Sequence, residues 1–434
     1  MADSRYRKFR TLEGHRSAVN CVLFFRNADL LISGGDDRFV RLWNVDTGEC
    51  LQSLTNEYWG QVTALSLYEP DPANSADTTL LFVGTGRGNV TVFPLSTMGQ
   101  SFNGYAGVTT NLFSTNDSVE SQALDVVNHR FIVGSHQGFV KMFDFVDGNL
   151  SANPIWVLEV EDIPRGLIFI GDFHRHVMIH TLYKGELICV KAAAPFEQGE
   201  ENGRTVQPTH VTSRKLQGSI GSAIISPDGR TLVVHNLYSN HFDVYNPLDA
   251  ELPSNTLSMS LESAGHLPKQ CAFAEDMGRI LICGGDRGRV YIFDTASNNL
   301  LQTLVHRENL GAIYGIAAAS SNDNHYIASA ESEGTSLICV WIKATDRYIE
   351  VERRRREAQE AQAAQEAEAE KEEQRQREAE AVQKARLDAM ASLNRRFFRV
   401  LILVSLFVAL GAATFLWLLQ IGAITIHTPA MFST

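Results

Sequence analysis

The chain has six cysteines and none of them is paired in a Cys-x-x-Cys motif. Cys21, Cys189, Cys271, Cys283 and Cys339 lie in apolar, strand-like runs, and Cys50 follows a Thr-Gly turn. A zinc site or disulfide framework is thereby excluded as an organising device, and buried free thiols are expected. No Gly-x-Ser-x-Gly elbow, His-Glu-x-x-His, Walker loop or recognisable carboxylate pair occurs either. The motif-borne hydrolytic and nucleotide-cleaving chemistries therefore find no footing, and the chain reads as a non-enzyme without cofactor or metal. The N-terminus, MADSRYRKFR, lacks the apolar stretch of a signal peptide. Two further absences divide the chain: residues 347–394 contain no Gly or Pro, and residues 400–426 contain no charge.

Charge is short on the basic side. Of 38 basic and 50 acidic residues, twelve of each fall within 350–399, which leaves 26 against 38 elsewhere and places the whole net charge of −12 there. An acidic N-terminal domain disfavours a nucleic-acid backbone or an anionic lipid surface as its main ligand.

What is present is a repeat of about fifty residues. Trp43, Phe93, Phe143, Tyr245, Phe293 and Trp341 each close a β-like run. Gly88, Gly138 and Gly288 stand five positions before their closing residue, and Gly185 stands equally far before Val190, which supplies the remaining unit. Seven units result. Each reads as short apolar runs separated by turn chemistry, as in LLISGGDDRFVRLWN, FIVGSHQGFVKMFD and ILICGGDRGRVYIFD.

These units resemble the WD-repeat β-propellers, whose repeats carry Gly-His near the start and Trp-Asp near the end. The first unit fits best, opened by Gly14-His15 and closed by Trp43-Asn44. In that family a buried His, Ser, Asp and Trp hydrogen-bond across a blade, and the resemblance assigns these roles to His15, Ser33, Asp37 and Trp43. Elsewhere the signature erodes, with Val83, Val133, His180, His235 and Cys283 at the Ser33 position. The resemblance implies an all-β seven-bladed propeller over residues 1–346. The last unit is one strand short and an extra run, Tyr6 to Leu12, precedes the first, so the N-terminal strand is expected to close blade seven.

Several motifs read as structural. Gly84-Thr-Gly86-Arg-Gly88 is followed by another strand rather than a helix, so it is a hairpin turn and not a dinucleotide fingerprint. Ser226-Pro-Asp-Gly229 is a tight turn. His174, His176 and His180 look metal-like, yet His174 falls in a turn and His180 at a hub position, too far apart to share an ion. The run Arg353 to Arg356 is flanked by Glu350, Glu352, Glu357 and Glu360, as on a solvated helix face.

Residues 347–394, rich in Ala, Glu, Gln, Arg and Lys, predict a stiff, charged helical stalk. Ala is almost the only apolar residue between Glu357 and Ala381, so self-association as a coiled coil is only weakly specified. Residues 395–426 then predict a basic flank (Arg395, Arg396, Arg399) and a transmembrane helix, since 27 uncharged residues span about 40 Å as a helix. The basic flank faces the propeller side, which predicts a cytosolic propeller and a short lumenal tail, 427–434. Such a chain resembles the tail-anchored class, with the endoplasmic reticulum or a later secretory membrane favoured over the mitochondrial outer membrane.

Two functional readings follow. WD-repeat rings mostly scaffold protein complexes through one face, which on this chain would include Arg16, Arg38, Arg87, His136, Lys184, Tyr238, Arg287 and Glu333. The expectation is a membrane-anchored scaffold for protein partners. Polar insertions at 69–79, 96–119 and 193–215 are a second candidate surface. The alternative rests on arrangement alone: a cytosolic propeller with one C-terminal span is similar to the exchange factor for the Sar-type GTPase of vesicle-coat assembly. A phosphoinositide-binding reading fails at its motif, since Ile163-Pro164-Arg165-Gly166 stands where those propellers carry Phe-Arg-Arg-Gly or Leu-Arg-Arg-Gly.

Overall fold

The alternating apolar runs form seven antiparallel sheets in the computed structural model. It describes residues 5–422 apart from 71–77, 97–100, 147, 194–205, 247–248, 260–266, 307–310, 322–323, 333–335 and 344–345. The chain divides into two units, Met1–Tyr348 and Ile349–Thr434.

The first unit opens with β1 (Arg7–Leu12). Blade one is β2 (Val19–Phe25), β3 (Leu30–Gly35), β4 (Phe39–Asn44) and β5 (Cys50–Thr55); blade two is β6 (Val62–Tyr68), β7 (Leu80–Thr85), β8 (Asn89–Pro94) and β9 (Val108–Asn111). Blade three is β10 (Val119–Asp125), β11 (Arg130–Ser135), β12 (Phe139–Val146) and β14 (Trp156–Glu159), with the short β13 (Asn149–Leu150) against β12. Blade four is β15 (Pro164–Ile170), β16 (His176–Thr181), β17 (Glu186–Lys191) and β18 (His210–Lys215). Blade five is β19 (Ile220–Ile225), β20 (Leu232–Asn236), β21 (His241–Tyr245) and β22 (Asn255–Leu257). Blade six is β23 (Cys271–Ala274), β24 (Ile280–Gly284), β25 (Arg289–Asp294) and β26 (Leu300–Val305). Blade seven takes β27 (Ile313–Ser321), β28 (Asn324–Glu331) and β29 (Ile338–Lys343) from the C-terminal end of the unit, and β1 pairs antiparallel with β29, Thr11 opposite Cys339. An edge that the last unit leaves open is thus paired by the first strand.

The closing residues explain why the blades stack. Seven apolar clusters lie one at each blade junction: Phe25, Trp59 and Phe93 between blades one and two, for example, and Leu12, Trp43 and Ile338 between blades seven and one. An amphipathic four-stranded sheet cannot bury both faces alone; its neighbours on either side do so.

Two of the polar insertions include blade strands. Residues 96–119 contain β9, the outer strand of blade two, and residues 193–215 contain β18, the outer strand of blade four. Both strands lack the long apolar run that marks a central strand, because one edge and much of each face meet solvent. Most of 69–79 lies outside the described residues.

Among the described residues the second unit holds one helix, α1 (Asp346–Gln420), whose first residues belong to the first unit. The charged stalk and the apolar segment form a single uninterrupted helix, with Glu373 and Arg377 paired one turn apart. By length and composition, α1 is able to cross a membrane. Residues 423–434, which include the end of the predicted span and the tail, lie outside the described residues.

Candidate interaction face

The b-to-c hairpins and the d-to-a connections of a four-stranded meander emerge on the same side of the ring, and blade one shows what fixes them there. His15, in the connection from β1 to β2, meets the Asp37 carboxylate through Nδ1 at 2.9 Å and the Ser33 hydroxyl through Nε2 at 2.8 Å. Trp43 Nε1 donates to the same hydroxyl at 2.8 Å. Asp37 in turn accepts the backbone N–H groups of Arg16 and Phe39. Burial pushes the Asp37 carboxyl up, but the His15 hydrogen bonds and charge and these two backbone donors outweigh it, holding the group below the usual carboxylate range. All four residues are joined in one buried network that ties a b-to-c turn to a d-to-a connection.

Blade seven repeats the histidine–serine–tryptophan part of the network, with a histidine that sequence spacing does not reveal. His306 Nε2 meets Ser329 Oγ at 2.6 Å and Trp341 Nε1 donates to it at 2.8 Å. His306 precedes its serine by 23 residues, whereas His15 precedes Ser33 by 18. No Gly-His pair marks it, so only the closing tryptophan was legible.

Blades four and five use histidine as the hub. His180 is buried opposite Gly166, and a Cβ there would stand 1.9 Å from His180 Nε2; the inner strand gives up its side chain to admit the ring. In blade five a Cβ on Gly221 would meet His235 Nδ1 at 2.4 Å. His235 Nε2 approaches Asn240 Oδ1 at 3.3 Å, and the fully buried Lys269 donates to that oxygen at 2.6 Å and to Asp286 at 3.2 Å. Burial lowers the Lys269 ammonium, with Asp286 acting against it. His174 lies on the opposite side of the ring against Asp125 at 2.7 Å, and among the described residues no group of His, Cys, Asp or Glu could hold a metal ion.

The predicted face residues fall on one rim. Arg38, Arg87, His136, Lys184, Tyr238 and Arg287 occupy b-to-c turns, and Arg16 a d-to-a connection; Glu333 lies outside the described residues. Arg16, Arg38, Arg87, His136 and Tyr238 are exposed, Tyr238 by 84%. Arg38 and Arg287 hold positive φ, 68° and 56°, which turns their side chains off the strand line. His136 pairs with Glu120 at 2.9 Å and Lys184 with Glu161, which raises the lysine and lowers the glutamate through their mutual hydrogen bond. Exposed Tyr58 and Tyr183, not foreseen, join this rim. Nothing distinguishes an exposed turn tyrosine from a buried one until the strands around it are placed.

Inside the rim a cavity of about 470 Å³ lies on the ring axis, lined by the inner strand of every blade. The inner strands of six blades carry a bulge at the same step, at Asn20, Thr63, Glu120, Arg165, Gly221 and Tyr314. A bulge re-aims a side chain, and these six positions line the cavity with a different chemistry from each blade. Arg165 pairs with Glu120 at 3.1 Å. Burial raises the Tyr314 phenol, and the charges of Arg165, Asp36 and Glu120 all act on it.

A model of the WD domain, G-beta repeat family matches residues 6–44. The WD repeat-containing protein 89 homolog of Dictyostelium discoideum is 23% identical over 174 residues, 39% of this chain and 43% of that protein. The ribosome biogenesis protein bop1-A of Xenopus laevis is 33% identical over 82 residues, 18% of this chain and 11% of that protein. The nuclear distribution protein nudF of Aspergillus niger is 40% identical over 53 residues, 12% of each. The chain spans less than half the length of these relatives, so the likeness is one of repeats rather than of whole proteins. With seven sheets closed by its first strand, the chain is a seven-bladed β-propeller, and residues 6–44 match the WD domain, G-beta repeat.

Proposed function

We propose that this protein is a non-catalytic platform for protein partners, held at a membrane by α1 and read through the rim that carries Arg16, Arg38, Arg87, His136, Lys184, Tyr238 and Arg287. The observation that carries the reading is the rim itself: rigid turns, fixed by buried hubs, present exposed Arg and Tyr side chains, the residue types that anchor protein interfaces. A β-propeller of this family is suited to scaffolding, and the acidic balance outside the stalk argues against nucleic acid. The propeller would face the cytosol, with Arg395, Arg396 and Arg399 at the membrane flank and the endoplasmic reticulum or a later secretory membrane as its location.

The anchor is tested by alkaline extraction of membranes from cells making the full chain or a form ending at Asn394. The full chain should stay with the bilayer and the shorter form should be released; release of both would remove the anchor from the account. The exchange-factor alternative draws on arrangement alone. It requires a small GTPase bound most tightly without nucleotide, so that added GTP dissociates the complex, whereas a scaffold contact is indifferent to GTP.

A further inference from the structure

The outer strands of the seven blades are open edges, and most are visibly protected. β1 carries Arg7, Lys8 and Arg10, β14 ends in Glu159, β18 carries Arg214 and Lys215, and β22 has only three residues. Charge and shortness are the ordinary defences of an open edge. β5 and β26 are uncharged, but on each a neighbouring segment is clamped by a glutamine, Phe102 by Gln52 and Tyr6 by Gln302. β9, four residues long, carries neither charge nor a clamp: it is VTTN, and among the described residues no hydrogen bond from another blade's segment reaches it.

Beside β9 the insertion of blade two builds a groove of about 520 Å³. Phe102 is buried against Phe25, its backbone gripped at both ends by Gln52, and the Asn103 side chain accepts the N–H groups of Tyr105 and Ala106. Gly107 lies so close to Phe93 that a Cβ would stand 2.4 Å from the ring. This pinned turn holds Tyr105 fully out in solvent at the groove's rim, with Leu51 and Val108 exposed nearby on β5 and β9. Every residue lining the groove is uncharged, although one residue in five of the chain is charged.

The hydrogen-bonding phase of β9 completes the picture. Leu112 N–H donates to the Gly88 carbonyl, and Thr109 is the register partner of Thr91, two hydroxyls 2.9 Å apart. In an antiparallel ladder of that phase Thr110 points its backbone groups at β8, and Thr109 and Asn111 point theirs at the open side. We propose that β9 accepts an extended, uncharged peptide segment of a partner protein as a fifth strand, seated in the groove and covered by Tyr105. Main-chain pairing with Thr109 and Asn111 supplies affinity, and the charge-free lining rejects segments bearing Lys, Arg, Asp or Glu at the inserted positions. This surface is separate from the rim of b-to-c turns and stands or falls independently of it.

The test is selection of a random octapeptide display library on the full chain in detergent. Enriched peptides are synthesised and titrated against the wild type, Tyr105→Ala, Thr55→Lys and Thr109→Pro, with melting temperatures measured alongside. The expected result is a set of peptides uncharged over at least four successive positions, whose affinity falls at least about tenfold in Tyr105→Ala and Thr55→Lys at unchanged melting temperature. Thr109→Pro removes an edge N–H and should abolish binding. Enrichment of charged peptides, equal binding to Tyr105→Ala and Thr55→Lys, or no enriched peptide would overturn the proposal. Competition by the neutral oligosaccharide maltohexaose but not by the peptides would assign the groove to a glycan instead.

Discussion

Gln302 holds the backbone of Tyr6 by both ends of its amide: the Tyr6 N–H donates to Oε1 at 2.9 Å and Nε2 donates to the Tyr6 carbonyl at 2.7 Å. The clamp joins the start of the chain to the outer strand of blade six, while β1 pairs with blade seven, so the N-terminal segment fastens two blades at once. Tyr6 and Leu12 are both buried at blade junctions.

Removal of residues 1–12 should therefore destabilise the whole ring, by at least about 3 kcal/mol from the lost core side chains alone. Gln302→Ala, which leaves two backbone groups of Tyr6 unpaired, should cost about 1–3 kcal/mol. Chemical denaturation of the propeller checks both. A truncated form with the wild-type midpoint would show that the seventh blade does not need its fourth strand.

Ser33 serves two buried donors or acceptors at once, from His15 and Trp43. Ser33→Ala strands both and is expected to cost about 2–4 kcal/mol, with a similar loss for Ser329→Ala in blade seven. Equal losses in the two variants, read from denaturation midpoints, would identify the network around His306 as the counterpart of that in blade one.

Gly166 and His180 form a volume pair. Gly166→Ala drives a methyl into the imidazole and should cost about 1–3 kcal/mol, whereas the double variant Gly166→Ala/His180→Ser should recover most of that loss. A strictly additive double-mutant cycle would separate the two positions.

Burial is the leading cause that lowers the imidazoles of His180, His235 and His306 to about 3, with nearby cations Arg165, Lys269 and Lys8 acting the same way. In the unfolded chain these groups take up protons near pH 6.5, so the stability they permit is complete above that pH and is lost as pH falls toward 3. Uptake approaching three protons on unfolding gives a slope of about 4 kcal/mol per pH unit in the middle of that window. Asp37, lowered in the fold, adds to the loss below its ordinary value. Denaturation midpoints measured between pH 7 and 4 should fall steeply; a flat profile would show that these rings charge without unfolding.

The ring was legible because each blade ends its third strand on a buried apolar residue, and the fifty-residue spacing survived even where Val190 replaced the aromatic. Outer strands were not: β9 and β18 are polar on much of their surface and were counted within insertions. His306 escaped because connections of unequal length carry equivalent residues to the same place. The glutamine clamps at Gln52 and Gln302 carry no signal in a single sequence, since an amide gripping a backbone is identical in composition to one facing water.

The central claim, that partners read the rim of b-to-c turns, is tested most directly by proximity labelling in living cells. The full-length protein is compared with a variant carrying Arg38→Ala, Arg87→Ala and Tyr238→Ala, exposed side chains whose loss should leave the melting temperature unchanged. The account predicts that a defined set of labelled proteins is lost from the variant while bulk membrane neighbours remain. An identical set from both, at equal expression and stability, would contradict it.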